Sequence, residues 1–256
     1  MSLEPHLTAC LKHTRLYTGV ELATMLPNHH HHHHNNKHET VFEVTTETSL
    51  QACRRLLHLD TSAAVIATDN STVRDVRAAD DISTAEPSMS YGGSDVVALL
   101  NFASARKPGG GFLHGNSGQE ESLARSSALY ASLKMVPDFY RVNSFKINDG
   151  FYTDSMIWSP NVPVFRDDTM AANDLLESPY AVSMVIAPAV NAGVAERLNR
   201  SHEVEGRMRA RIQYLLTLLC DKNVDTFVVG AWGCGVFRNS PEMIANLFHD
   251  QLCSAE

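Results

Sequence analysis

The chain has 256 residues, enough to bury the core of one sizeable domain or at most two small ones, and 44% of them are hydrophobic. Its formal net charge of −8 argues against the basic surface that non-specific capture of nucleic acid requires. No apolar run is long enough to span a bilayer, and the first residues lack the pattern of a signal peptide. The five cysteines form no Cys-x-x-Cys pair, which favours reduced thiols. We expect a single intracellular domain over residues 1–256, cytoplasmic or nuclear, with no membrane association and no sequence-specific nucleic-acid binding.

The first quarter of the chain combines short predicted elements with one low-complexity tract. In chain order, the predicted elements are a mild helical pattern over residues 1–26, a strand Val41–Val44, a helix Ser49–Leu59 capped by Thr48, and a strand Ala63–Ala67. The tract at residues 28–39 contains six consecutive histidines, and such polar low complexity cannot bury a core. We expect a surface loop there, and we treat metal binding by its imidazoles as adventitious.

Residues 70–93 are polar and show no sustained period, which predicts a solvated surface insertion. A short apolar strand, Val96–Leu100, follows this insertion. Beyond the turn at Lys107-Pro108, three consecutive glycines, Gly109–Gly111, expose bare backbone N–H groups and tolerate positive φ. Such a loop suits a phosphate or a sugar diphosphate.

The triplet Gln119-Glu120-Glu121 follows the glycines with seven residues between, where a helix predicted to run from Glu121 to Leu133 begins. The helix macrodipole favours carboxylates at this end. Adjacent carboxylates on a helix cannot point the same way, so we expect their roles to differ. Taken alone, a triple glycine is typical of a flexible turn and a Glu pair of capping. The two together on a strand–loop–helix unit are more specific than either.

The second half of the chain alternates strands and helices. Its predicted elements are strands Met156–Trp158, Tyr180–Ala187 and Thr226–Gly230, one long helix Glu196–Cys220, and a helix that starts at Ser240 and Pro241. Residues 138–154 are aromatic and irregular, and the two prolines within 159–168 exclude strand pairing on both sides. Arg166 with Asp167 or Asp168 is interpreted as a structural ion pair.

The helix Glu196–Cys220 has an apolar stripe, and we expect its arginines on the solvated face: Arg200, Arg207, Arg209 and Arg211. A second glycine-containing loop, residues 231–239, joins the last strand to a helix start, which is a general way of holding a diphosphate. Cys234 in this loop has no His beside it in sequence and is interpreted as a packing residue. The alternation of strands and helices predicts an α/β fold in which one sheet lies between two layers of helices (three-layer α/β/α). Ligands are expected at the carboxyl ends of its strands.

Several sequence segments resemble one family. The similarity is carried by the segments NFASARKPGGGF with QEE, GAWGCGVF, TRLYTGVEL and SPNVPVFRDD. These segments resemble the bacterial-type poly(ADP-ribose) glycohydrolases, which have a macrodomain fold. The resemblance covers residues 14–248, apart from segments 28–39 and 70–93. It implies a mixed central sheet and hydrolysis of ribose–ribose O-glycosidic bonds in poly(ADP-ribose) on modified proteins. ADP-ribose would be released preferentially from chain ends, without a metal or another cofactor.

The resemblance also implies residue roles. Glu121 would protonate the departing ribose oxygen and then take a proton from water, while Glu120 binds ribose hydroxyls and Gln119 fixes the adjacent ribose. Acid catalysis near neutral pH would need a raised glutamate pKa, which burial and a neighbouring negative charge could provide. Other macrodomain hydrolases carry an Asn near the ribose where this chain has Ser104, and we assign Ser104 no role. The remaining substrate-binding residues implied are Gly110, Gly111, Gly233, Gly235, Val236 and Phe237.

Two alternatives from other classes stay open at this point. A macrodomain that binds ADP-ribose without cleaving it would not require the Glu120-Glu121 pair. A nucleotide phosphatase or another ADP-ribose-processing macrodomain would keep the glycine loops but would not require the Gln-Glu-Glu triplet.

Overall fold

The computed structural model describes residues 3–29, 40–57, 96–145, 149–169 and 174–253. The predicted strand Ala63–Ala67, the predicted insertion 70–93 and residues 30–39 of the histidine tract lie outside these ranges. No helix in the described ranges is long and apolar enough to cross a lipid bilayer.

Helices and strands alternate along the described chain. The helices are α1 Glu4–His13, α2 Gly19–His29, α3 Ser49–Leu56, α4 Gln119–Ser126, α5 Leu129–Leu133, α6 Pro137–Phe145, α7 Ala192–Arg197, α8 Val204–Asp221 and α9 Pro241–Cys253. The strands are β1 Arg15–Tyr17, β2 Val97–Phe102, β3 Met156–Arg166, β4 Leu175–Ala187 and β5 Thr226–Val228.

The five strands form one mixed sheet in the order β1-β3-β4-β2-β5. β2 is parallel to both β4 and β5, whereas β3 is antiparallel to β1 and to β4. The carboxyl ends of β2, β4 and β5 therefore share one edge of the sheet, which we call the loop edge. Both glycine-containing loops, after β2 and after β5, leave from this edge.

Helices cover both faces of the sheet. On β2, Ala98 and Leu100 belong to a core formed with α2, α8 and α9, whereas Val97 and Leu99 belong to a second core with α1, α3, α4, α5 and α6. Because successive side chains of a strand point to opposite faces, the apolar run of β2 is buried on both sides. The predicted α/β/α layering and the mixed sheet are confirmed.

The N-terminal elements differ from the prediction in three places. The region predicted as mildly helical contains the strand β1, which pairs with the start of β3. The loop predicted from residue 28 was wrong at its first two residues, because α2 extends to His29. The strand predicted at Val41–Val44 is wrong: the segment pairs with no described strand, and Val44 is 98% exposed. Its alternating pattern lacks the packing partner that β propensity depends on.

Helix caps follow the sequence signals. Thr48 caps α3 in a capping box, accepting from the Gln51 backbone while the Gln51 side chain accepts from the Thr48 backbone. Ser240 accepts from the Met243 backbone at the start of α9. Both predicted N-caps are confirmed.

The helix predicted over Glu121–Leu133 is interrupted. Ser127 is extended, and its backbone bridges to Val164 of β3 while the Ala128 N–H donates to the Pro163 carbonyl. The prediction of one continuous helix was wrong because sheet pairing replaces helical hydrogen bonds at this point. β1 pairs with β3 only before the two prolines. The prediction that the prolines exclude strand pairing on both sides was nevertheless wrong at Val164, which pairs with Tyr180 of β4 and bridges to Ser127 on its other side.

The chain from 192 to 221 is also divided. Asn199 adopts a positive φ of 55°, and a short 3₁₀ turn at Ser201–Glu203 separates α7 from α8. The long helix predicted over Glu196–Cys220 was therefore wrong before Val204, where α8 begins. A further difference is α6, which occupies part of the region predicted as irregular.

Candidate active site

The loop after β2 bends sharply at its glycines. Gly109 and Gly110 have φ of 70° and 62°, a region that residues with a Cβ rarely adopt. The Gly110 N–H donates to the Lys107 carbonyl at 3.0 Å and closes the turn. The loop therefore turns back toward the start of α4, where the Gln-Glu-Glu triplet lies.

Glu121 packs against this glycine backbone. Its Oε1 accepts a hydrogen bond from the Gly111 N–H at 2.9 Å. A Cβ on Gly110 would collide with Oε1, and a Cβ on Gly118 would lie 2.5 Å from Oε2. The half-buried carboxylate thus occupies space that only glycines on both sides leave open.

Glu120 points into the protein and is 3% exposed. Its Oε2 accepts from the Ser104 N–H at 2.7 Å, and Asn101 Nδ2 lies 3.5 Å from Oε1. Burial, with a smaller contribution from the charge of Glu121, raises the pKa of Glu120 to about 8, although the Ser104, Asn101 and Gly109 donors oppose the rise. In the free protein this carboxyl is mainly protonated at neutral pH.

Two further buried polar groups belong to this neighbourhood. Among the described residues, Asn101 Oδ1 and the Tyr140 hydroxyl have no hydrogen-bond partner. Burial, and next the charge of Glu120, raise the pKa of Tyr140, so the phenol is neutral. Sequence reasoning did not include these residues, although Asn101 is the second-last residue of β2, shortly before the glycine loop.

The Gln119 side chain completes the hydrogen bonding of β2. Its Oε1 accepts from the Phe102 N–H at 2.9 Å, and its Nε2 donates to the Leu100 carbonyl at 2.7 Å. The last residue of β5 that pairs with β2 is Val228, opposite Leu99. The Gln119 amide therefore makes the hydrogen bonds to β2 that residues of β5 beyond Val228 would otherwise make, and it fixes α4 to the end of β2.

The second loop is held against the end of β4. Trp232, which is fully buried, donates from Nε1 to the Ala187 carbonyl at 3.1 Å. Asn239 Nδ2 donates to the Val190 carbonyl at 2.8 Å and to the Gly233 carbonyl at 3.1 Å. Gly233 has a φ of 75°, and a Cβ there would collide with Ala189. This part of the loop is therefore packed and fixed.

The tip of the second loop is open. Val236 is 91% exposed, and a Cβ on Gly235 would meet no atom within 4 Å. Phe237 is half-buried, and its ring lies 6.0 Å from that of Tyr152, centroid to centroid. Cys234 is packed against the core, and burial raises the pKa of its thiol. Packing, as expected from the sequence, describes Cys234 better than nucleophilic chemistry.

The prediction that Arg211 lies on the solvated face of its helix was wrong. Arg211 is fully buried and donates to the Pro188 carbonyl at 2.9 Å, the Phe151 carbonyl at 2.8 Å and Asp154 at 2.8 Å. These bonds tie residues 151–154 to the end of β4. The signal was present in the sequence, because position 211 lies three residues after Met208 on the apolar stripe of α8.

The other three arginines are paired with carboxylates at partly exposed positions. Arg200 pairs with Asp149 and Glu203, Arg207 with Asp154, and Arg209 with Glu205 and Asp250. Their predicted location at the surface agrees with the structure. Asp168 accepts from Thr48 Oγ1 at 2.8 Å and so helps to hold the start of α3.

Together, the mixed α/β/α sheet and the two loops at one edge, with a carboxylate pair beside the first loop, define a macrodomain-type enzyme. The family model of the microbial-type poly(ADP-ribose) glycohydrolase (PARG) catalytic domain matches residues 1–167. The chain belongs to this family. It is a glycosidase that acts on poly(ADP-ribose).

Solved structures of bacterial relatives match over nearly the whole chain. PARG from Thermomonospora curvata is 38% identical, with a TM-score of 0.78, over 97% of this chain and 76% of that chain. The same bacterial protein bound to the inhibitor ADP-HPD gives a TM-score of 0.75 at 38% identity, with the same coverage. PARG from Deinococcus radiodurans in complex with ADP-ribose is 34% identical, with a TM-score of 0.76, over 97% of this chain and 84% of that chain. The search of curated proteins gave no match.

Proposed function

We propose that this enzyme removes ADP-ribose units from the ends of poly(ADP-ribose) chains on modified proteins, with Glu121 as the general acid and base. The observation that carries the proposal is the Glu121 carboxylate, which lies against the Gly110-Gly111 backbone at the loop edge. A sugar diphosphate held on this loop would bring its ribose to that carboxylate. The binding of ADP-ribose to the Deinococcus relative supports ADP-ribose as the product bound here.

Glu121 would give a proton to the departing ribose oxygen as the glycosidic C–O bond breaks. The anomeric carbon then has oxocarbenium character, and Glu121, now a carboxylate, takes a proton from the water that attacks it. The water oxygen forms the new bond to carbon, so free ADP-ribose leaves and the proton returns to Glu121. Atoms and charge balance without another reactant.

Glu120 is proposed to bind ribose hydroxyls. In the free protein, burial raises the pKa of Glu120 to about 8. Hydroxyl groups that donate to Glu120 would favour its ionised form.

The remaining roles concern substrate placement. Gly110 and Gly111 would let the ribose and diphosphate approach closely because they have no side chains, although their N–H groups are bonded to the Lys107 carbonyl and to Glu121 in the free protein. Gly233, Gly235 and Val236 would form the second diphosphate loop. Phe237 would pack on the terminal ribose, supported by its position beside Tyr152. Gln119 would fix the adjacent ribose through the strand end that it holds.

The test is Glu121→Gln, with Glu242→Gln at the exposed first turn of α9 as the matched control. Release of ADP-ribose from automodified polymer should fall by about 10²–10⁴-fold in the first variant, the range for a lost general acid–base group, and stay unchanged in the second. Binding of ADP-ribose should persist in both. Full turnover by Glu121→Gln would refute the role of Glu121.

The same assay separates the alternatives. Polymer binding by the wild-type protein without product release would support a binding module, and release of AMP would support a phosphatase. An intracellular location, cytoplasmic or nuclear, is part of the proposal and is supported by the five cysteines, none of which forms a disulfide.

A further inference from the structure

An open cavity of about 410 Å³ lies against β1, away from both glycine loops. We call it the β1 cavity. Its lining comes from the end of α1, from β1, from the first half of β3 and from the residue after α8. The members that matter here are His13, Arg15, Tyr17, Trp158, Pro160 and Lys222. Its volume falls within the range of small-molecule sites, roughly 300–1,000 Å³.

The β1 cavity is separate from the carboxylate pair. β1 is the strand at one side of the sheet, and β3 and β4 stand between it and β2. Three strand spacings amount to about 14 Å.

Two cations meet in this cavity over one aromatic ring. The Arg15 guanidinium lies 4.7 Å and Lys222 Nζ 4.9 Å from the centre of the Tyr17 ring. His13 adds a third nitrogen base, while none of the residues described as lining the cavity is an Asp or a Glu. Each cation also has a carboxylate neighbour outside this lining, Glu21 for Arg15 and Asp221 for Lys222.

The cations keep donors for a ligand despite their neighbours. Arg15 uses Nη2 for Glu21 Oε1 at 3.1 Å, whereas Glu21 Oε2 is taken by the Thr18 N–H and hydroxyl at the start of α2. Lys222 Nζ lies 2.7 Å from Asp221. A guanidinium carries five N–H donors, so Arg15 keeps most of its donors for an anion. An ammonium carries three, and Lys222, which bonds to both Asp221 and Tyr17, keeps one.

We propose that the β1 cavity is a second site for a nucleoside diphosphate, distinct from the site of bond cleavage. The diphosphate oxygens would bridge Arg15 and Lys222, with His13 nearby. Tyr17 and Trp158 are buried, so the attached ring system would meet the Arg15 guanidinium that lies over the Tyr17 ring. The ligand is either a further ADP-ribose unit of the polymer or a free nucleotide. The first source depends on the proposed function, and the second does not.

The test counts ADP molecules bound to the full chain by equilibrium dialysis at low salt. The Arg15→Gln/Lys222→Gln variant should bind one ADP fewer than the wild type, since affinity at the β1 cavity falls at least about tenfold. The control is Arg141→Gln, an exposed arginine paired with Asp138 on α6, which should bind as the wild type does. Lys222→Gln alone, which keeps the stacking of Arg15 on Tyr17, serves if the double variant unfolds, and it too should weaken the site.

Cleavage assays then identify the source. If the double variant degrades long polymer more slowly but a two-unit substrate at the normal rate, the ligand is a polymer unit. If both rates are unchanged while one ADP is lost, the ligand is a free nucleotide. Equal ADP stoichiometry in the wild type and in each cavity variant would overturn the proposal. That result is independent of whether Glu121 cleaves the polymer.

Discussion

The two glycine-containing loops leave the same edge of the sheet, but their glycines do different work. In the first loop the space beside Gly110 is filled by the Glu121 carboxylate. In the second, Gly233 is packed against Ala189 and Asn239, while the space beside Gly235 is empty. A closed loop positions a reacting group, and a loop with a fixed base and an open tip is suited to receive a ligand. The contrast predicts that substitutions will act on chemistry in one loop and on binding in the other.

Among substitutions that test the difference between the two loops, Gly110→Ala has the largest expected effect. The new Cβ would collide with Glu121 Oε1, and alanine would have to adopt a φ of 62°. Displacement of Glu121 removes the acid, so we expect kcat on polymer to fall by about 10²–10⁴-fold. Steady-state kinetics of ADP-ribose release measures this.

Two matched glycines provide the controls. Gly206→Ala in α8 also meets open space, and it should leave kcat unchanged and stabilise the helix by about 0.8–1 kcal/mol. Gly235→Ala should leave the unfolding free energy nearly unchanged and act on KM rather than kcat. A loss of kcat in Gly235→Ala equal to that in Gly110→Ala would contradict the division between the loops.

The second prediction concerns Arg211, whose buried side chain ties residues 151–154 to the end of β4. Arg211→Met removes the bonds to the Pro188 and Phe151 carbonyls and the buried partner of Asp154, which keeps only the half-exposed Arg207. Breaking a buried pair in this way costs about 3–5 kcal/mol. Urea unfolding should show a loss of that size.

The control is Arg207→Met, which removes a half-exposed partner of the same Asp154. It should cost less than about 1 kcal/mol, as surface pairs do. Similar losses in the two variants would mean that burial of Arg211 does not set the strength of this support.

The third prediction sharpens the contrast between the two adjacent carboxyls. Folding raises the pKa of Glu120 to about 8, so the folded state binds this proton more tightly than the unfolded state does. Its contribution to stability is full below the ordinary pKa of 4.5 and declines until the pH passes about 8. Glu120→Gln keeps the neutral shape and removes the decline.

Urea unfolding of Glu120→Gln and of the wild type at several pH values provides the measurement. The variant should gain on the wild type by a few kcal/mol between pH 4.5 and 8.5, given about 1.4 kcal/mol per pKa unit and the coupling of the two carboxyls. A constant difference over this range would mean that the Glu120 carboxyl is not protonated in the folded protein.

The sequence predicted the elements whose signals are local. The apolar runs at Val96–Leu100 and Tyr180–Ala187 appear as the central strands, because residues buried on both faces leave a continuous hydrophobic pattern. β1 was missed because three residues with Arg15 exposed carry no pattern, and their strand conformation comes from pairing with β3. The break at Asn199 was missed because neither proline nor glycine marks it.

The site divides in the same way. The seven-residue spacing between the glycines and the triplet is visible in the sequence, and the fold brings Glu121 to Gly111 over that spacing. The raised pKa of Glu120 could not be predicted from the sequence, because it depends on how deeply the carboxyl is buried and on donors such as the Ser104 N–H. Arg211 was assigned to the surface by residue type, although its position on the apolar stripe indicated burial.

The smallest predicted effect tests the buried surroundings of Glu120. The Tyr140 hydroxyl is buried without a hydrogen-bond partner among the described residues, and a buried unsatisfied hydroxyl lowers stability. Tyr140→Phe removes only that oxygen and keeps the ring in its contact with Phe139, at 4.9 Å between centroids. We therefore expect the variant to be as stable as the wild type or more stable by about 1 kcal/mol, measured by thermal and urea unfolding at pH 7. For comparison, Tyr180→Phe removes a hydroxyl that donates to the Leu50 carbonyl at 3.0 Å and should destabilise by about 1 kcal/mol. A loss of stability in Tyr140→Phe as large as in Tyr180→Phe would show that the Tyr140 hydroxyl has a partner in the folded protein, and Glu120 would then be the first group to examine.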